Sequence, residues 1–167
     1  MDLSAKKPDS LKTTLSVLGC ALVGIVCFFI AESSVETWFI AIEKPFFIPP
    51  HWVISSIWVV FYIIMGYSLA LVWTKNNGSS KTKKLVSKAM AAFGIQLVLS
   101  GLWFVLFFGF CNPFLALIEI LLLWLISYET IKIFKSVDKT AANLLYSYLI
   151  WIGLAILFNG SIWYLNC

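Results

Sequence analysis

The sequence predicts an all-α membrane protein, a bundle of five transmembrane helices forming one domain over 1–167, and two observations carry that reading. The residues are 61% hydrophobic and 12% charged, whereas a soluble domain of this length needs far more polar surface. The apolar residues are gathered into five runs, each near the roughly 20 residues that carry a helix across about 30 Å of hydrocarbon. The runs lack the alternation of barrel strands. Within hydrocarbon, a helix satisfies its backbone N–H and C=O groups inside one segment.

The first helix is expected over approximately 14–31, behind Lys6, Lys7 and Lys12. Its apolar run exceeds a signal-peptide core and no small-x-small cleavage site follows, so it reads as a retained span. An acidic connection with Glu32, Glu36 and Glu43 leads to the second helix, 49–73. Pro49 and Pro50 suit a first helical turn, where a missing N–H costs nothing, and Pro45 stiffens the loop before it. Two roles stay open for this loop: a lid at the bundle mouth, or a plain helix start with His51 and Trp52 as interfacial anchors. A Lys/Asn/Gly/Ser turn over 74–84 precedes the third helix, 85–108, and a Cys111-Asn112-Pro113 corner starts the fourth, 114–134. A link over 135–140 leads to the fifth, 141–164.

All the basic residues are lysines, and with five alternating spans every one but Lys44 falls on the side of the N-terminus. The positive-inside rule makes that side cytoplasmic. The net charge of +4 thus reflects topology, and no basic-aromatic interleaving points to nucleic acid. The expected surroundings are a lipid bilayer. Cys20, Cys27, Cys111 and Cys167 form no CxxC and accompany a single histidine, so no metal site is expected and no cofactor is required.

Chemistry has to come from side chains inside the spans. Trp58, Tyr62 and Met65 fall at i, i+4 and i+7, on one face of the second helix, and Tyr148, Trp151, Ala155, Phe158 and Asn159 do likewise on the fifth. Such stripes serve either packing or the wall of a cavity. Gln96 and Ser100 share a face with Trp103, and Glu119 lies roughly 8 Å along the fourth helix from its start. A carboxyl group inside a span must be neutral, paired or near water. Glu119 is therefore expected to face the bundle and to meet a donor from Gln96, Ser100 or a water molecule. No nucleophile with a matched base, phosphate-cradling glycine loop or paired carboxylate is present, which leaves hydrolysis and phosphoryl transfer unsupported. Five helices also give no inverted repeat for alternating access. What remains is an aromatic cavity for a flat apolar molecule.

From about Trp38 to Asn166 the chain resembles the TspO/MBR family of translocator and tryptophan-rich sensory proteins. The residues that carry the resemblance are Lys44-Pro45, Pro49-Pro50-His51-Trp52, Trp58, Tyr62, Met65-Gly66-Tyr67 and Leu71-Val72-Trp73. Further along they are Gln96, Trp103, Phe107-Phe108, Ala116-Leu117 with Glu119, Leu144-Leu145-Tyr146, Tyr148, Trp151 and Asn159. The resemblance implies five helices around a cavity capped by the first loop, binding porphyrin or haem and, in animal members, cholesterol. It implies frequent homodimers, and a host membrane in a bacterial envelope or an organelle such as the mitochondrial outer membrane. Trp58 and Trp151 match the cavity tryptophans implicated in light-dependent porphyrin breakdown, and Ala155 and Phe158 continue the pocket wall. Ser100-Gly101 replaces a common Asn-Trp pair, Phe47 a common Trp, and Ser147 a common Pro. The cholesterol-associated Tyr and Arg fall at Gly160 and Tyr164.

The expected function is a membrane receptor or carrier for a tetrapyrrole held by Pro49, Trp58, Tyr62, Gln96, Ser100, Trp103, Glu119, Tyr148, Trp151, Ala155, Phe158 and Asn159. Two alternatives are a porphyrin-degrading enzyme working through Trp58 and Trp151, and a structural subunit of a larger membrane complex.

Overall fold

Each apolar run begins at a local start signal, and these signals set the five helices. A computed structural model describes residues 9–77 and 79–167, apart from the side chains of His51 and Asn77. Lys6, Lys7, Gly78 and the anchoring role expected of His51 lie outside the described residues. Helix α1, Ser10–Ser34, starts where the Asp9 carboxylate accepts from the Leu11 N–H at 3.1 Å. Helix α2, His51–Thr74, follows Pro50. Helix α3, Ser80–Phe104, is capped by the Ser79 hydroxyl. In α4, Pro113–Val137, Pro113 occupies the first turn and Asn112 Oδ1 accepts from the Leu115 N–H at 3.0 Å. In α5, Lys139–Leu165, Asp138 caps the Ala141 N–H at 3.0 Å.

Most ends extend beyond expectation, whereas α2 begins two residues late: Pro50 is its N-cap with extended backbone, so neither Pro49 nor Pro50 lies in the first helical turn. Helix α1 does not stop at 31 but continues through a π-helical turn, Val35–Phe39, giving a 30-residue rod, Ser10–Phe39. Glu32 and Glu36 are therefore exposed on a helix, and only Glu43 of the expected acidic connection lies in a loop. No Gly or Pro interrupts this stretch, so the backbone keeps its hydrogen bonds past the polar residues Glu32, Ser33 and Ser34. Helix α3 likewise begins five residues early at Ser80 and ends in a second π-helical turn, Val105–Gly109.

The helices close into a ring in the order α1, α2, α5, α4, α3, with α3 returning to α1. The lysine-rich ends lie together, where Lys75 Nζ sits 3.4 Å from Asp138 Oδ2 and Lys12 lies over the Trp73 ring. At the other end the Ser34 hydroxyl donates to the Phe108 carbonyl at 2.6 Å, joining α1 to the π turn of α3. Near the lysine-rich end Ser68 on α2 also donates to the Ala141 carbonyl in the first turn of α5, at 2.8 Å. Large apolar side chains such as Leu22, Phe29, Val98, Leu125 and Leu157 point outward and stay exposed. With five spans of sufficient length and apolarity, this is a multi-pass integral membrane protein whose outer surface meets lipid.

Candidate functional site

Aromatic residues from three helices meet near the end of the bundle that carries the first loop. Trp58 of α2 stacks on Trp103 of α3 with ring centroids 5.9 Å apart and planes at 23°, and meets Trp151 of α5 edge-on at 6.1 Å. Trp103 in turn stacks on Phe107 at 5.0 Å, within the π turn. Such turns recur at functional sites, and here the wider turn re-aims the side chains of the last residues of the third span. The clustered rings border a cavity of about 270 Å³. Its wall draws Gly24, Phe28, Ala31, Val35 and Phe39 from the first span, and Trp58 and Tyr62 from α2. The third span adds Trp103 and Phe107, and α5 adds Trp151, Ala155, Phe158 and Asn159.

Hydrogen bonds hold three of these side chains in place. The Trp103 indole N–H donates to Asn159 Oδ1 at 3.0 Å, and Asn159 Nδ2 donates to the Pro113 carbonyl at 2.7 Å, so one buried amide joins α3, α4 and α5. The Tyr62 hydroxyl lies 3.5 Å from the Cys27 thiol of α1.

The first loop covers the mouth. The Glu43 N–H donates to Asn166 Oδ1 and Asn166 Nδ2 donates to the Glu43 carbonyl, both at 2.9 Å, a reciprocal pair that fastens the loop to the end of α5. Lys44 Nζ donates to the Ile40 and Ile42 carbonyls at 3.2 and 2.9 Å and so ends the first rod. Phe47 packs on Phe158 at 5.8 Å, and Ile48 reaches the cavity wall. The proline-rich segment is thus both the start of α2 and a cover, the two roles that the sequence left open.

The wall is almost entirely apolar and presents no nucleophile with a base beside it, so the arrangement is suited to binding by surface burial. Its elements recur in known proteins. The profile of the TspO/MBR family matches residues 16–165. The chain belongs to the TspO/MBR family. It is 36% identical to the Tryptophan-rich protein TspO of Archaeoglobus fulgidus over 93% of this chain and 97% of that one. It is 31% identical to the Protein CrtK of Rhodobacter capsulatus over 89% of each chain. To the Translocator protein of Homo sapiens it is 33% identical over 75% of this chain and 73% of the human protein.

In this TspO/MBR chain, Trp58, Tyr62, Trp103, Trp151, Ala155, Phe158 and Asn159 from the sequence-predicted set are brought to one cavity. The others are not on its wall. Pro49 is half-buried beside Ile48, which takes the wall position. Gln96, Ser100, Glu119 and Tyr148 are buried between helices. Ser100 turns back on its own helix, donating to the Leu97 carbonyl at 2.8 Å, and Tyr148 packs its ring edge-on against Trp58 at 6.3 Å. Gly101 faces α1, and a Cβ there would stand 3.7 Å from Val23 and 3.8 Å from Cys27. Sequence reasoning missed Phe28 and Phe39 on the first span and Phe104 and Phe107 on the third as cavity residues. For Phe107 the spacing of four from Trp103 was the available signal.

Glu119 faces the bundle as expected, but neither Gln96 nor Ser100 meets it: among the described residues neither carboxyl oxygen has a hydrogen-bond partner. Among the described residues the side-chain polar atoms of Gln96 lack one as well. An unpartnered buried polar group costs about 1–3 kcal/mol. Glu119→Leu removes a buried carboxyl group from the interior of a span and is expected to stabilise the protein by about 1–3 kcal/mol, read as a higher thermal midpoint in detergent, with Glu119→Gln close to wild type. A lower midpoint for the leucine variant would show that the carboxyl group is satisfied.

Proposed function

We propose that this protein is a membrane receptor or carrier that holds a tetrapyrrole, porphyrin or haem, in the aromatic cavity beneath the first loop. The observation that supports this reading is the meeting of Trp58, Trp103 and Trp151 around one apolar space closed by a fastened loop. Flat conjugated rings are recognised by stacked and edge-on aromatic side chains. Burying roughly 300 Å² of apolar ring contributes about 7 kcal/mol before the cost of association, so few polar contacts are needed. The cavity, at about 270 Å³, lies near the lower end of the small-molecule range of roughly 300–1,000 Å³. A tetrapyrrole therefore enters with movement of the ring cluster or of the first span. The human relative's name, Translocator protein, accords with a carrier.

Protoporphyrin titrated into the detergent-solubilised protein is expected to quench tryptophan emission saturably at micromolar concentrations. Trp58→Ala should weaken binding by about tenfold, the worth of one lost aromatic face. Quenching that never saturates below tens of micromolar overturns the proposal. The same complex under illumination separates binding from breakdown. Loss of the Soret band that is faster in wild type than in Trp58→Phe and Trp151→Phe would make the protein an enzyme, and equal bleaching leaves it a binder.

A further inference from the structure

We infer that the ligand reaches the cavity from within the bilayer, through a gap between α1 and α2, while the first loop stays fastened. The inference rests on the apolar-ligand reading above and adds the route.

Three observations locate the gap. Helices α1 and α2 meet backbone to backbone toward their lysine-rich ends, where a Cβ on Gly66 would fall 2.6 Å from Val17 Cα and 2.9 Å from the Ser16 carbonyl oxygen. Nearer the loop, about two turns along α1 and one turn along α2, Gly24 lies against the Tyr62 ring, with its own added Cβ 2.8 Å from that ring. Phe28 on α1, one turn past Gly24, and Ser56 and Val59 on α2, just past Tyr62, all border the cavity. Phe28 is 53% exposed and Val59 is 59% exposed. A side chain that borders the cavity and also faces outward marks an opening in the wall.

The depth of the opening decides what stands outside it. Val59 lies eight residues into α2, roughly 12 Å along the helix, and Phe28 lies within the apolar middle of the first span. Both positions belong to the hydrocarbon zone, where an apolar ring concentrates before it binds. The alternative route is built against such a ligand. The first loop is held by the Glu43 and Asn166 pair, and its surroundings carry Glu32, Glu36, Glu43 and Lys44, all exposed.

The test uses full-length protein in vesicles and three chains: wild type, the gap-filling variant Ser56→Phe/Val59→Phe, and the loop-releasing variant Asn166→Ala. Protoporphyrin is presented from donor vesicles, and binding and release are followed by stopped-flow fluorescence. The gap-filling variant is expected to slow both association and dissociation by about tenfold or more, and Asn166→Ala to leave both within about twofold of wild type. The reverse pattern, fast exchange on loop release and none lost on filling the gap, overturns the inference. A second readout needs no porphyrin. In vesicles of phosphatidylcholine brominated on its acyl chains, the emission that Trp58→Phe removes should be quenched in wild type and protected in the filled variant. Val59→Phe alone serves if the double variant fails to fold. Absence of any porphyrin binding sinks the proposed function, and equal bromolipid quenching in wild type and filled variant sinks the entrance.

Discussion

Replacing Gly66 by leucine is expected to destabilise the protein by more than about 3 kcal/mol, and replacing it by alanine by about 1–3 kcal/mol. The neighbours of an added Cβ here are Val17 Cα, the Ser16 carbonyl oxygen and the Val17 nitrogen, at 2.6, 2.9 and 3.0 Å. All three are backbone atoms, which cannot rotate away as a side chain can, so α1 must move as a body. Close backbone approach at a small residue is how membrane helices gain van der Waals contact where lipid is as apolar as the helix surface. Gly24→Ala offers the contrast, because its Cβ meets the Tyr62 ring, and a side chain on the cavity wall can shift by a smaller movement than a helix backbone. Thermal unfolding in detergent should rank the variants Gly66→Leu, Gly66→Ala and Gly24→Ala, from the lowest midpoint upward. A midpoint for Gly66→Leu equal to wild type would mean that α1 does not pack on α2 at this crossing.

Asn159→Leu is the second large effect. The side chain accepts from Trp103 and donates to the Pro113 carbonyl while 1% exposed. Leucine leaves the Trp103 indole N–H unpaired in an apolar wall, at about 1–3 kcal/mol, and frees the ring to leave its stack on Trp58. Both stability and porphyrin affinity should fall. In a double-mutant cycle with Trp103→Phe the two losses should not add, and the coupling should reach about 0.5–3 kcal/mol. Simple additivity would show that the two side chains act independently and that Asn159 does not orient the indole.

These two positions also show how far the sequence could be read. The five spans follow from run length alone, because hydrocarbon thickness fixes how many apolar residues a helix needs. Their ends do not, since Glu32 and Glu36 sit on a helix that has no reason to stop at the edge of the apolar zone. The π turns at Val35–Phe39 and Val105–Gly109 carry no composition signal, and they set how Phe39 and Phe107 meet the cavity. Trp58, Trp103 and Trp151 were legible because aromatic side chains at helical spacing on three different spans share a face with polar partners. Gln96, Ser100, Glu119 and Tyr148 lie on bundle-facing sides too, but away from the cavity wall. Distance from the site depends on the order of the helices in the ring, which no local pattern encodes. The contribution of α1 was hidden for a further reason: a run that is apolar on every side has no periodic face, so Gly24 and Phe28 look like any other lipid-facing residues.

The most direct measurement for the central claim is the position of a bound ring. Crystals of the protein grown with zinc protoporphyrin and measured at the zinc absorption edge should give one strong anomalous peak inside the bundle, among Trp58, Trp103 and Trp151 and below Ile48. A peak on the outer helical surface, or crystals that contain the protein without any zinc signal, would contradict the account.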